Sequence, residues 1–249
     1  MTEVIQFAPG GYRYIKGVFQ YSAGVSALPG YAIERVRLTK SVPLAEGFAL
    51  VESHLASFGR PMTAFCACEL RSPEPFSEQG FMDFNRQYVG TLERWGLFKD
   101  ETNPVARTNV CPEFAKPAEP SLHAFSYTIP METDRDSFII AGGGEAREGA
   151  GPYQNNIVRL RDISPEALVE KVRYVMAAME GRLSALGFGW NDALSVQVYT
   201  VHDIGFLIAP EIISKSAPTA GVVWNFSRPP VINIEYEMDV RGAFREIAL

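Results

Sequence analysis

The chain has 249 residues, 47% of them hydrophobic and 21% charged, which is typical of a globular protein with one large domain or two ordinary ones. Its formal net charge of −6 and the lack of a basic run argue against nucleic-acid binding, which needs a concentrated Lys/Arg surface. No apolar stretch reaches the roughly 18 residues of a membrane span, and the start lacks a signal-peptide pattern, so we expect a cytoplasmic protein without membrane partners.

The first half of the chain predicts alternating strands and helices. The segment 12–24 predicts a strand that runs into a tight glycine turn, and a polar, proline-punctuated segment follows it. Apolar residues at helical spacing predict one helix over 45–58, closed by Gly59 as its C-cap, and a second helix over 81–97. Extended structure is predicted over 63–70, 103–110 and 122–129.

The second half predicts a similar series. A strand over 137–144 ends in three glycines, which we interpret as a tight turn with close backbone approach rather than a phosphate-binding loop. Ser164 as N-cap and Pro165 at the first helical position begin a helix that runs to Leu186 and is closed by Gly187. The remaining predictions are strands over 193–200, 222–224 and 231–240 and a shorter helix over 206–214.

The two halves share their spacing. Gly59 and Gly187 each close an amphipathic run, and six residues after each glycine an apolar stretch begins, at Phe65 and at Ala193. Such self-similarity is the signature of a duplicated unit. We therefore predict an α+β protein of two tandem domains, residues 1–121 and 122–249, each a mixed sheet with helices packed on one face.

The cysteines and histidines favour no metal site. Cys66, Cys68 and Cys111 cannot all pair internally, which favours a reducing compartment. Cys66 and Cys68 share one face of a predicted strand, and we interpret both as small apolar core residues rather than as metal or redox groups. The three histidines lack the spacing of zinc ligands, so no metal is expected.

The succession of motifs resembles the RidA/YjgF family. The motifs are Gly-x-Tyr, strand-Ser-x-Gly, helix-to-Gly, an apolar strand, a helix, and Pro-x-Ala-Arg before a terminal Ile-Glu-x-Glu strand, and they span essentially the whole chain. That family contains imine and enamine deaminases, with relatives that catabolise 2-aminomuconate. The resemblance implies two fused domains of the chorismate-mutase-like fold, sites in clefts between domains, and a homo-oligomer, either a trimer or a hexamer.

The resemblance also implies site residues. Arg107, in Pro-Val-Ala-Arg, matches the arginine that grips the substrate carboxylate, and Glu237, in Ile-Glu-Tyr-Glu, matches the glutamate that activates water. Asn85 and Tyr12 match residues that line the family's site, and Arg228 is a candidate for a second carboxylate. The arginine motif survives only in the first half and the glutamate motif only in the second, so a working site would be composite, either across the fused halves or between chains.

These residues predict a hydrolytic deaminase of a small enamine or imine carboxylate such as 2-aminomuconate. Arginine presents a planar fork to a carboxylate, and a glutamate can take a proton from attacking water, so no cofactor is required. Two alternatives stay open: a chorismatase-like hydrolase, and a metabolite-binding protein of the same fold without catalysis. Each site residue also has a purely structural interpretation: a surface ion pair for Arg107, a solvent-facing strand position for Glu237, a helix cap for Asn85 and a core position for Tyr12.

Overall fold

Two β-sheets form the centre of the protein in the computed structural model, which describes residues 3–147, 151–215 and 221–249. The helices are α1 (Leu44–Ser57), α2 (Glu78–Arg94), α3 (Pro165–Ala185) and the short α4 (Gly205–Leu207), which continues into a π-helical turn over Ile208–Ile213. The strands are β1 (Val4–Phe7), β2 (Tyr12–Ile15), β3 (Gly24–Ala27), β4 (Tyr31–Pro43), β5 (Phe65–Arg71), β6 (Ala106–Pro112), β7 (Ser121–Pro130), β8 (Phe138–Gly144), β9 (Ser195–Tyr199), β10 (Val223–Asn225), β11 (Ser227–Arg228), β12 (Glu237–Gly242) and β13 (Arg245–Ala248).

Four strands of each sheet have the same order and directions. Over the described residues, the six-stranded sheet has the order β11-β6-β5-β7-β4-β13 and the seven-stranded sheet the order β1-β2-β3-β8-β12-β9-β10. Within them, β6-β5-β7-β4 corresponds to β10-β9-β12-β8: the first two strands of each set are parallel and the other pairs are antiparallel. The helices α1 and α3 also hold equivalent places, between β4 and β5 and between β8 and β9.

The remaining strands tie the two halves together. The N-terminal strands β1 to β3 extend the seven-stranded sheet at β8, whereas the C-terminal strands β11 and β13 pair with β6 and β4 of the six-stranded sheet. The predicted domain limit between residues 121 and 122 lies at the start of β7, which pairs with β4 and β5. Each sheet therefore contains strands from both halves of the chain, and the domain limits stay a prediction.

Helices cover the outside of both sheets, in agreement with the predicted α+β class. Phe48, Val51 and Leu55 of α1 pack with α2 on the six-stranded sheet, and α3 packs through residues such as Val172 and Met176 on the seven-stranded sheet. The inner faces of the sheets meet through a third apolar cluster, which includes Tyr12, Val25, Ile33, Ala106 and Ile139. Each large apolar side chain buried in this way contributes about 1.5–3 kcal/mol. None of the described helices is long and apolar enough to cross a membrane.

The predicted ends of α1 and α3 are confirmed, whereas the helix predicted over 81–97 is α2 and lies about three residues earlier, over Glu78–Arg94. The Ser164 hydroxyl accepts a hydrogen bond from the Ala167 amide at 3.3 Å, and Pro165 begins α3. Gly59 and Gly187 have φ angles of 63° and 83°, a left-handed conformation that glycine adopts without a steric penalty. Local sequence therefore determines where these helices begin and end.

Two strand predictions are wrong in part, and one strand was not predicted. The segment 17–23 connects β2 to β3 and is not part of a strand, and the polar segment after it forms the thirteen-residue strand β4. The predicted strand over 231–240 is extended only from Glu237 onward. Before it, the backbone amides of Glu235 and Tyr236 donate to the buried Glu145 carboxylate at 2.6 and 3.0 Å, so they are not available to a strand partner.

Candidate active site

A cavity lies where β6 of the six-stranded sheet meets β8 and β12 of the seven-stranded sheet. It encloses about 410 Å³ of space, part of it continuous with solvent. Arg107 and Glu237 both line it, although they come from different halves of the chain. The other lining residues are Tyr21, Phe81, Asn109, Gly142, Gly143, Gly144, Ala146, Tyr153, Pro230, Val231 and Ile234.

Arg107 is a buried cation inside an aromatic cage. Its side chain starts from β6, is 3% exposed, and makes no ion pair with any described residue. Its guanidinium lies over four rings, with distances to the centroids of 4.8 Å for Tyr88, 5.0 Å for Tyr21, 5.5 Å for Phe81 and 5.8 Å for Phe84. Burying a charge costs free energy unless it is compensated, and the rings offset only part of that cost. An anion in the cavity would supply the missing compensation.

Asn85 holds this guanidinium in place. Its Oδ1 accepts a hydrogen bond from Arg107 Nη1 at 2.5 Å, and its side chain is fully buried. Ser77 is the N-cap of α2, and its hydroxyl accepts a hydrogen bond from the Gly80 amide. Within the helix, Asn85 lies on the same buried face as Phe81 and Tyr88. The structure therefore brings the predicted residue Asn85 next to Arg107, behind the cavity wall.

Glu237 enters the cavity because the facing strand carries glycines. As the first residue of β12, it pairs with Gly144 on β8 and with Tyr199 on β9, and it is 5% exposed. A Cβ atom on Gly142 would lie closer to Glu237 Oε1 than two non-bonded atoms can approach. The three glycines lie within β8 and not in a turn, so the turn interpretation is wrong, whereas the predicted close approach is confirmed.

A hydrogen-bond network joins the strands that carry Arg107 and Glu237. The Thr108 hydroxyl accepts from the Gly142 amide at 3.1 Å and donates to Asp239 Oδ2 at 3.0 Å. Asp239 also accepts from the Tyr199 hydroxyl at 2.8 Å. Because these groups are buried, the network constrains β6, β8 and β12 to one relative position.

Sequence analysis missed Asn109, which follows Arg107 by two residues on β6 and lines the cavity. Its Oδ1 accepts from the Ser72 hydroxyl at 3.0 Å, which sets the orientation of the amide. Its Nδ2 is buried and has no hydrogen-bond partner among the described residues. Since successive residues of a strand alternate between faces, the position two after Arg107 was the signal that could have revealed it.

Two predicted site residues lie away from this cavity. Tyr12 is fully buried in the core between the sheets, where its hydroxyl donates to the Phe65 carbonyl at 3.3 Å and burial raises its pKa. Arg228, on β11, pairs with Glu113 at 3.0 Å. Neither residue lines the cavity, so their roles in substrate binding stay predictions. The second-half counterpart of the arginine motif falls mainly on residues 216–220, outside the described residues, and Gly221 follows them.

The cysteines are core residues. Cys66, Cys68 and Cys111 are free and buried, and burial raises the pKa of Cys68 to about 11 and that of Cys111 to about 12. A thiol that stays protonated at neutral pH is a poor nucleophile and a poor metal ligand. Within the described residues, no three His, Cys, Asp or Glu side chains form a group that could hold a metal ion.

Comparison with known proteins finds a matching family and a similar protein of named activity. The family model described as 2-aminomuconate deaminase CnbZ matches residues 4–247. A 2-amino-5-chloromuconate deaminase of Comamonas testosteroni is 59% identical over 251 residues, and the match covers 100% of both chains. Among solved structures, a chorismatase is 11% identical with a TM-score of 0.45, over 96% of this chain and 85% of its own. A cyanuric acid hydrolase from A. caulinodans is 10% identical with a TM-score of 0.41, over 86% of this chain and 67% of its own.

Proposed function

Because the chain belongs to the CnbZ family of 2-aminomuconate deaminases, it is an enzyme that releases ammonia from a C–N bond, and we propose that it acts on 2-aminomuconate or a close relative. One observation carries the assignment of the site: Arg107 and Glu237 line the same cavity from opposite halves of the chain. The relative from Comamonas testosteroni is named for a chlorinated aminomuconate, which supports a substrate of this class.

Arg107 binds a substrate carboxylate in this proposal. A guanidinium fork matches a carboxylate with two parallel hydrogen bonds, and such charge-assisted bonds are about twice as strong as neutral ones. Asn85 accepts from one guanidinium nitrogen and so orients the fork without contacting the cavity. Asn109 Nδ2, a buried donor in the same wall, would bind a second acceptor of the substrate.

Glu237 activates water. Protonation of the enamine carbon gives the iminium ion, and water then adds to its carbon while Glu237 accepts a proton from the water. The resulting carbinolamine takes that proton from Glu237 at its nitrogen, the C–N bond breaks as the hydroxyl group loses its proton, and ammonia leaves a 2-oxo acid behind. One water is consumed and one ammonia is released for each substrate, with no change of oxidation state.

Ammonia release by substituted enzymes tests these roles. Arg107→Ala should raise KM by at least tenfold, and Arg107→Lys, which keeps the charge but loses the fork, should also raise it. Glu237→Gln should instead depress kcat by roughly 10²-fold or more. Arg228→Ala is the matched control, because that arginine pairs with Glu113 outside the cavity. Wild-type ammonia release by both Arg107→Ala and Glu237→Gln would remove the assignment.

We also propose that the halves are fused RidA/YjgF-like domains that assemble as a homotrimer. The matched strand orders of the two sheets support the first part. Exposed apolar side chains beside one another at the β10–β11 edge, Val223, Trp224 and Phe226, support an association surface. Light scattering coupled to size exclusion should give three times the mass of the chain, and a monomer would contradict the trimer.

A further inference from the structure

A second cavity lies between the inner faces of the two sheets, and four arginines line it. We name it the arginine pocket, after Arg35 and Arg37 on β4, Arg71 on β5 and Arg241 on β12. It holds about 580 Å³ of space, part of it continuous with solvent, and it shares no lining residue with the cavity of Arg107 and Glu237. The deamination proposed above uses none of these arginines.

Two of the four guanidiniums are fully paired and form a buried floor. Arg35 binds both oxygens of Glu69, at 2.6 and 2.9 Å, and Arg241 approaches the same carboxylate at 3.1 Å. Arg241 also donates to Asp239 at 2.7 and 2.9 Å. Arg35 makes a further ion pair, 2.7 Å long, with the exposed carboxylate of Glu246. These contacts explain why Arg35 and Arg241 are buried. They do not involve Arg37 and Arg71.

Arg37 and Arg71 retain unused donors. Arg37 is exposed and makes no ion pair with any described residue. Arg71 donates one bond to the Leu70 carbonyl and comes no closer than 3.9 Å to Glu69, which is too long for a hydrogen bond. Each guanidinium carries five N–H donors, so most of those on Arg37 and Arg71 have no acceptor among the described residues.

The charges that line the pocket favour an anion. Four guanidiniums face three carboxylates, those of Glu69 and Glu246 in the lining and that of Asp239 bound to Arg241, which leaves an excess of one positive charge. The imidazole of His123, in the same wall, reports this environment: burial and the guanidiniums of Arg71, Arg35 and Arg241 lower its pKa to about 4. Burial is the largest cause of this shift, the three guanidiniums act in the same direction, and the Glu69 carboxylate opposes them.

We propose that the arginine pocket is a second anion site, which binds a small dicarboxylate through Arg37 and Arg71. These residues lie on β4 and β5, which are separated by β7, and Arg71 is two residues further along its strand than the position opposite Arg37, so their backbones are about 12 Å apart in the sheet. Two guanidiniums whose strands are held this far apart match an anion with a carboxylate at each end better than one compact oxyanion. The proposal depends on the charges of this pocket and does not require the proposed deamination.

Calorimetric titration with cis,cis-muconate tests the site, because this dicarboxylate lacks an amino group and cannot be deaminated. The wild-type protein should bind two equivalents per chain. Arg107→Gln should remove one of them, and the double variant Arg37→Gln/Arg71→Gln should weaken the other by at least tenfold. Arg86→Gln is the matched control, since Arg86 pairs with Glu101 on the surface and should bind like the wild type. Sulfate, a compact oxyanion, should bind the same site at least tenfold more weakly.

Two results would overturn the proposal. The first is that the wild-type protein binds a single equivalent of muconate and that Arg37→Gln/Arg71→Gln leaves its affinity unchanged. The second is that sulfate binds as tightly as muconate. Thermal unfolding checks that the double variant is folded. If the double variant is not folded, the single variant Arg37→Gln, at an exposed position, is measured instead. It should lose at least threefold in affinity for muconate at the second site, and an unchanged affinity would refute the proposal. Because binding is measured without turnover, failure of the deaminase assay leaves the outcome interpretable.

Discussion

Gly142 leaves room for the carboxylate of Glu237, and alanine at this position should displace it. The nearest atoms to a methyl group there are Glu237 Oε1 and, at 3.1 Å, Thr108 Cγ2. Restoring a normal carbon–oxygen contact requires the carboxylate to move by roughly 1 Å, and a misplacement of that size costs about 10²-fold in rate. Gly142 does not have a left-handed φ, so alanine introduces no backbone strain there. The loss in the free energy of unfolding should be about 1 kcal/mol.

The neighbouring glycine provides the control. Alanine at Gly143 would meet Arg182 Nη1 and Met179 Cε, both at 2.9 Å, on the opposite face of β8. Gly142→Ala should therefore lower kcat for ammonia release about 10²-fold with little change in KM, whereas Gly143→Ala should keep kcat within about threefold of the wild type. Urea unfolding should show similar stability losses for both. An undiminished kcat in Gly142→Ala, or an equal loss in Gly143→Ala, would refute the placement of Glu237 as the base.

Three further predictions concern other buried polar groups. Asn109→Asp places a carboxylate where a donor lines the cavity, so KM should rise at least tenfold in steady-state assays, and an unchanged KM would exclude Asn109 from substrate contact. Lys171→Met leaves Glu145 buried without its 3.1 Å partner and should cost about 3–5 kcal/mol in urea unfolding, part of which Glu145→Gln in the same chain should restore. Because the folded pKa of His123 lies below its ordinary value, the unfolded chain takes up its proton first, and stability falls as the pH drops from about 6.5 to 4, by at most about 3 kcal/mol. His123→Gln should lose less stability than the wild type between pH 7 and pH 5, and equal losses would contradict this origin.

The strand β4 shows why part of the fold escaped sequence analysis. Its residues Glu34 and Arg35 read as polar, yet both are buried, so the segment lacks the apolar alternation that predicts a strand. Their burial depends on partners that lie far away in the chain: the Tyr127 hydroxyl and Arg245 for Glu34, and Glu69 for Arg35. A charged residue enters a core only when such partners exist, and single-sequence patterns do not contain them.

The site was predictable in kind but not in arrangement. The motifs around Arg107 and Glu237 predicted two residues that line one cavity, and the predicted site residue Asn85 lies beside Arg107, behind the cavity wall. Tyr12 lies in the core between the sheets and not in the cavity wall, because a buried tyrosine in a core strand and one in a cavity wall have the same local sequence. Asn109 was missed although its strand position pointed to the same face as Arg107.

The sequence by itself determined the elements whose causes are local: the ends of α1 and α3 at glycine, the N-cap at Ser164, and the shared spacing of the two halves. Only the tertiary structure decided which residues meet. Pairing of β12 with β8 brings Glu237 against Gly142, and the Thr108–Asp239 bond holds the strand of Arg107 beside it. These contacts join segments that lie far apart in the chain, so no local sequence pattern contains them; they form only when the two halves fold against each other.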